Sequence, residues 1–248
     1  MTQNTGRVLI FGGSGGIGSA LARRLVSKGV SLTLVGRTEE RVRTLSQELG
    51  AEYLCADVTD SAQVENVFAQ TLEKGPLQGV AHLVGSIVLK PLHLVSDEEW
   101  WRTLSINLSS AFFVLRSAVK ALGVEGGSIV LMSSTAAQVG LANHEAIAAA
   151  KAGVDGLVRA AAASQAAKNI RVNAIAPGLV RTPLSSKLLA NPAAEKASIA
   201  MHPLRRLGLP DDIASMIEFL LDPSNSWVTG QIMRMDGGLA DLRVNHAN

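Results

Sequence analysis

Arg7-Val8-Leu9-Ile10-Phe11-Gly12-Gly13-Ser14-Gly15-Gly16-Ile17-Gly18 is the stretch whose reading decides the fold. Four apolar residues in succession, Val8 to Phe11, read as a strand covered on both faces, as strands of parallel sheets are. A glycine cluster ends the run and leads into an amphipathic segment over about 17–28, so the cluster lies on a strand-to-helix turn. Glycine permits φ > 0 and lets a ligand approach the backbone, where free N–H groups and the positive end of a helix bind anionic oxygens. With five glycines in seven residues at this place, Gly12, Ser14, Gly15, Gly16, Ile17 and Gly18 are candidate contacts to the pyrophosphate of a dinucleotide. A tight turn with no ligand is the alternative reading.

Outward from this motif the same rhythm repeats. Strands are expected at 31–35, 52–56, 79–84, 127–132, 170–176 and 231–235, with helices between them, one over 39–49. Strand and helix alternating in this way give a single-domain, Rossmann-like, doubly wound α/β fold over 1–248. Its parallel sheet has about seven strands, with helices on both faces. No linker or internal repeat divides the chain. The Ala-rich segment 144–167 is expected to be a helix whose small-residue face admits a close neighbour, such as the same helix of another subunit.

Composition narrows the function classes. Of 248 residues, 47% are hydrophobic and 18% charged, enough to bury a large core and too apolar for a disordered chain. A net charge of +2 and the absence of any Lys/Arg run longer than two leave no electrostatic footprint for nucleic acid. No apolar stretch approaches the roughly 18 residues of a membrane span, and residues 8–11 are too short for a signal peptide. The lone cysteine, Cys55, has no partner within the chain, which fits a reducing, cytoplasmic setting. His82, His93, His202 and His246 show no ligand spacing, so no metal site is expected.

Arg37 follows the second strand, where a dinucleotide site of the NAD type carries an acidic residue for the ribose hydroxyls. A carboxylate there repels a 2′-phosphate, whereas a guanidinium binds it through paired hydrogen bonds. NADP(H) is therefore the expected cofactor, with NAD(H) the alternative. The competing reading makes Arg37 a solvated loop charge beside Glu39 and Glu40.

These residues together resemble the short-chain dehydrogenase/reductase family over essentially the whole chain. The loop Gly12-x3-Gly16-x-Gly18 matches the family loop, Asp57-Val58 its adenine-binding pair and Asn107 its helix-four asparagine. Pro177, Gly178, Val180 and Thr182, within the run 177–183, match the segment that touches the nicotinamide, and Asp236-Gly237-Gly238 matches the C-terminal pattern. The resemblance implies hydride exchange between a nicotinamide and a carbonyl or carbinol carbon of a small-molecule substrate. It further implies a Ser that holds the substrate oxygen, here Ser134, a Lys on the ribose, here Lys151, and an Asn on the proton path, here Asn107. It also implies a homotetramer or homodimer through the Ala-rich helix.

The resemblance places the family's catalytic tyrosine at Ile147, thirteen residues after Ser134 and four before Lys151. An alkyl chain exchanges no proton, and the chain's single tyrosine, Tyr53, is expected on the third strand, near the adenine end. His82-Leu83-Val84-Gly85 also departs from the family's Asn-Asn-Ala-Gly. Loss of one general acid typically costs about 10²–10⁴-fold, so transfer survives if reactants stay aligned. His144 is a candidate replacement acid, since positions 144, 147 and 151 share one helical face if the helix reaches that far. The other reading has it capping the helix or facing solvent. The leading expectation is an NADP(H)-dependent oxidoreductase. Its rivals are a non-catalytic nucleotide-binding sensor or scaffold and a redox-neutral proton-transfer enzyme. The sparsely charged stretch 184–203, in the family's lid position, suggests an apolar substrate.

Overall fold

In the computed structural model, which describes residues 6–123 and 125–243, the chain alternates strand and helix along its length; His246 lies outside the described residues. The strands are β1 (Arg7–Phe11), β2 (Ser31–Gly36), β3 (Glu52–Cys55), β4 (Leu77–His82), β5 (Gly127–Met132), β6 (Ile170–Pro177) and β7 (Ile232–Met235). The α-helices are α1 (Gly16–Ser27), α2 (Glu39–Leu49), α3 (Ser61–Glu73), α4 (Asp97–Leu104), α5 (Ser110–Leu122), α6 (Glu145–Gln165), α7 (Ser186–Leu189), α8 (Pro192–Met201) and α9 (Pro210–Leu221). The seven strands form one parallel sheet in the order β3-β2-β1-β4-β5-β6-β7.

The apolar run of β1 divides by the two-residue period of a strand. Val8 and Ile10 face a core formed with Leu21 and Leu25 of α1, Leu34 of β2, and Ile213 and Ile217 of α9. Leu9 and Phe11 face the opposite core, with Phe68 of α3, Val114 of α5 and Val154 of α6. On the first face, α1 and α9 are also joined by charge: Glu218, nearly buried, lies between Arg24, at 2.5 Å, and Lys28.

Because β1 pairs with β2 on one side and β4 on the other, the chain leaves the sheet in opposite directions at the C-terminal ends of these strands. A crevice opens there, as it does at the switch point of doubly wound sheets. The crevice accounts for the shorter end of β4, expected to run to residue 84. Leu83 N–H still bonds the Phe11 carbonyl at 2.9 Å, but the residues after it turn away to form a wall.

The Ala-rich segment is the 21-residue helix α6, closed by a 3₁₀ turn, Ala166–Lys168, and by Asn169 at φ 56°. Ile147, Lys151, Val154 and Val158 point inward, while Ala149, Ala152, Gly156, Ala160 and Ala163 form an outward face of small residues. Trp100 and Trp101 follow a Ser96–Glu99 capping box at the start of α4, and Trp101 is exposed. Among the described residues no helix is long and apolar enough to cross a membrane.

Candidate active site

The glycine loop is tied to the sheet through the Val35 carbonyl, which accepts from Gly12 N at 2.9 Å and Gly13 N at 3.0 Å. Gly12 has φ 79°, a conformation that side-chain-bearing residues rarely adopt. A Cβ on Gly18 would lie 2.2 Å from the Gly12 carbonyl oxygen, so only glycine lets α1 start this close to the loop. Gly15 caps α1 without a side-chain bond, and the first turn carries no acidic residue. The helix start therefore presents bare N–H groups and positive dipole to the crevice.

The crevice is a cleft of about 700 Å³. The loop forms one wall. Arg37, Thr38 and Arg41 close one end, residues 56–59 form the floor, residues 83–86 with Arg102, Ser105 and Ile106 face the loop, and Thr182, Pro183 and Leu184 overhang it. Of the residues singled out from sequence, Gly12, Ser14, Gly15, Gly16, Ile17, Gly18, Arg37, Asp57, Val58 and Thr182 line this cleft. Pro177, Gly178 and Val180 do not line it; Gly178 lines a separate depression with His202. Arg41, in the first turn of α2, is a second cation close in sequence to Arg37, whereas Ser86 and Arg102 carry no local signal. Thr59 donates to Asp57 Oδ1 from its backbone N, at 2.9 Å, and from its hydroxyl, at 2.7 Å. These bonds hold the Asp57 carboxyl below its ordinary range, with a smaller pull from Arg37.

A buried polar centre lies next to the cleft. Asn107 is in a wide turn, Ser105–Ser109, between α4 and α5. Its amide donates to Ser86 Oγ at 2.9 Å and to the Thr103 carbonyl at 3.0 Å, and its oxygen accepts from Ser86 N at 3.1 Å. Lys151 is buried and donates to the Met132 carbonyl at 2.7 Å. Burial pushes the Lys151 ammonium down to about 8, opposed by the charge of Asp155. The two side chains converge on Gly85, where a Cβ would lie 3.0 Å from Asn107 Oδ1 and 3.8 Å from Lys151 Nζ.

Ser134 begins a short turn in which its Oγ accepts from Ala136 N at 3.2 Å. Neighbours anchor the turn on both sides: Ser133 donates to Asp155 Oδ1 at 2.5 Å, and Thr135 donates to Asp236 Oδ2 at 3.2 Å. Asp236 also accepts from Gly238 N and Ala240 N, so the C-terminal pattern fixes the turn carrying Ser134. Ile147 is buried on α6, one turn before Lys151. His144 occupies the N-cap position and lies outside the helix, with Nδ1 2.8 Å from the Ala142 carbonyl. Tyr53 lies on β3 against the α1/α2 side of the sheet and away from this centre.

Over the cleft, residues 178–202 are clasped to one another. His202 is buried; its Nδ1 bonds the Ser198 carbonyl at 2.7 Å, and its Nε2 accepts from Leu179 N at 3.2 Å. Arg181 pairs with Glu195 at 2.5 Å, joining the same backbone strip to α8. A Cβ on Gly16 would lie 2.9 Å from Thr182 Cγ2, which places the strip directly against the glycine loop. Among the described residues, no group of three or more His, Cys, Asp and Glu side chains could hold a metal ion.

Comparison with known proteins agrees with this geometry. A family model described as enoyl-(acyl carrier protein) reductase matches residues 12–240. A hydroxynaphthalene reductase-like protein, Arp2, of Metarhizium anisopliae is 34% identical over 253 residues, covering 94% of each chain. A short-chain dehydrogenase/reductase from Mycobacterium ulcerans superposes with a TM-score of 0.90 at 34% identity, over 95% of this chain and 90% of that one. Actinorhodin polyketide ketoreductase, solved with NADPH, superposes with a TM-score of 0.91 at 29% identity, over 97% and 99%. By sequence and by fold alike, the chain belongs to the short-chain dehydrogenase/reductase family.

Proposed function

We propose that the protein is an NADP(H)-dependent oxidoreductase acting on the carbonyl or secondary alcohol of a small, apolar substrate, without a tyrosine acid/base. The observation that carries this reading is the end of the cleft. Arg37 and Arg41 line it, and neither makes an ion pair among the described residues. Two free guanidinium groups where NAD sites carry an acid suit a 2′-phosphate. The relative solved with NADPH supports the same cofactor.

The residues fit the dinucleotide along its length. The bare N–H groups of Ser14, Gly16, Ile17 and Gly18 suit the pyrophosphate, and Asp57 and Val58 border the adenine end. Pro177, Gly178, Val180 and Thr182 support the nicotinamide side, and Lys151 holds the adjoining ribose. When bound, the cofactor supplies or accepts a hydride. Ser134 donates a hydrogen bond to the substrate oxygen, and Asn107, bonded to Ser86 and converging with Lys151 on Gly85, lies on the proton path.

Ile147 stands where the family's phenol would be and exchanges no proton. A Lys151 ammonium lowered to about 8 is matched to donate near neutral pH through water, and His144, at the N-cap one turn away, is the second candidate acid. The exposed apolar residues Ile87, Leu92, Leu94 and Leu184 on the segments flanking the cleft support an apolar substrate. The outward small-residue face of α6 supports a homodimer or homotetramer.

Titration of the protein with NADPH and NADH, followed by fluorescence, and then NADPH oxidation across ketones, quinones and acyl-type carbonyls, tests the reading. Tighter binding of NADPH with turnover is expected. Binding without turnover on any substrate would favour the sensor or scaffold, for which the buried alkyl Ile147 is the specific argument. No binding overturns the cofactor assignment.

A further inference from the structure

The wide turn that carries Asn107 has its own support, and that support begins at a histidine outside the cleft. In an α-helix the Ser110 N–H would bond the Ile106 carbonyl, four residues back. Here it bonds Ser105 O, five back, which is the π-type register. The Ile106 carbonyl is instead taken by the Ser110 hydroxyl, at 2.6 Å. Since that hydroxyl has spent its only proton on Ile106, it can meet His82 Nε2, at 2.9 Å, only as an acceptor. His82 must therefore be the neutral tautomer protonated at Nε2. Its Nδ1 is a buried lone pair with no protein partner. Burial and the nearby charge of Lys151 push the imidazole down to about 3, which keeps it neutral throughout the range in which the protein would work.

We propose that His82 is a positioning residue: through Ser110 it locks the π-type turn that aims the Asn107 carboxamide at Ser86. The chain of contacts is continuous, from His82 to the Ser110 hydroxyl, to the Ile106 carbonyl, to Asn107 in the same turn, and on to the 85–86 wall of the cleft. Without the donated Nε2–H, the Ser110 hydroxyl is free to rotate, and the backbone N–H can return to Ile106 in ordinary α register. That shift would turn Asn107 about the helix axis by part of a turn and release Ser86.

The lock is made of this chain's own residues and operates whichever reaction the cleft performs. The test uses the full-length protein without cofactor, labelled for NMR, in the wild type and in His82→Leu, His82→Gln and Ser110→Ala variants. Histidine correlation spectra of the wild type should show His82 protonated at Nε2 and bare at Nδ1 from pH 5 to 8. Ser110→Ala and His82→Leu should shift the Asn107 side-chain amide signals and speed backbone amide exchange of residues 106–110 at least tenfold. NADPH binding, through the 85–86 wall, should weaken about three- to tenfold. His82→Gln, whose amide can donate from nearly the same place, should restore the Asn107 signals. If the Asn107 signals stay unmoved in Ser110→Ala, or if His82 is protonated at Nδ1, the proposal is overturned, as it is if Gln folds stably yet restores nothing. Should His82→Leu fail to fold, the Ser110→Ala result decides alone.

Discussion

Replacing Lys151 with methionine should make the fold more stable while removing the grip on the ribose proposed for it. The ammonium is buried with one carbonyl partner, and its pKa falls from 10.5 to about 8. A drop of about 2.5 units corresponds to about 3 kcal/mol of penalty for carrying the charge in the folded state. The sign follows from proton counts. Below pH 8 both folded and unfolded chains hold the proton, so the full penalty applies at pH 7. Between about 8 and 10.5 the unfolded chain holds more protons, so stability rises with pH as the penalty is relieved. A methionine of similar length escapes the penalty but leaves the Met132 carbonyl without its lysine partner, at a cost of about 1 kcal/mol. The net gain of about 2 kcal/mol at pH 7 corresponds to a Tm higher by roughly 4–8 °C for a domain of this size. Urea melts of both proteins, without cofactor, at pH 7 and pH 9 provide the assay. The wild type should recover about 1.3 kcal/mol relative to the variant on going from pH 7 to pH 9. A variant less stable than wild type at pH 7, or identical pH slopes for the two, would refute the burial argument.

Three further outcomes are expected. Arg37→Asp should weaken NADPH binding by about ten- to a hundredfold, the worth of roughly 1.5–3 kcal/mol for a charge-assisted hydrogen bond, and should spare NADH; equal losses for both cofactors in fluorescence titrations would contradict the placement. Gly18→Ala brings a methyl to 2.2 Å from the Gly12 carbonyl oxygen, so the loop must shift; destabilisation of about 1–3 kcal/mol with loss of dinucleotide binding should appear in thermal melts and titrations. Ile147→Tyr should raise carbonyl reduction by about 10²–10⁴-fold, read as NADPH oxidation, and no gain in a folded variant would mean the pocket has diverged beyond this one side chain.

The sheet was legible because the apolar runs are short and separated by amphipathic helices; Val8 to Phe11, apolar on both faces, have room for no other reading once both cores are drawn. The cleft was legible at its glycine wall, where composition and local chemistry coincide. What sequence could not show depends on contacts across long separations. His82 sits inside an apolar run and meets Ser110, 28 residues away, so nothing near it betrays the partner. Likewise His202 accepts from Leu179, 23 residues back, and Thr135 reaches Asp236 across 101 residues. β4 ends before its apolar run does for a related reason: Leu83 and Val84 are as apolar as the strand before them, and only the divergence of the chain at β1 and β4 turns them into a cleft wall.

The clasp above the cleft has a consequence for how cofactor and substrate bind. One strip of backbone carries Thr182 against the glycine loop, Leu179 against His202 and Arg181 against Glu195 of α8. Seating a dinucleotide under Thr182 and lowering α8 over a substrate are then movements of one body. Linkage requires the effect to be reciprocal: a substrate that draws α8 down must tighten dinucleotide binding by the same factor as the dinucleotide tightens substrate binding. Whichever arrives first would then favour the other, and lifting this single strap would loosen both sites together.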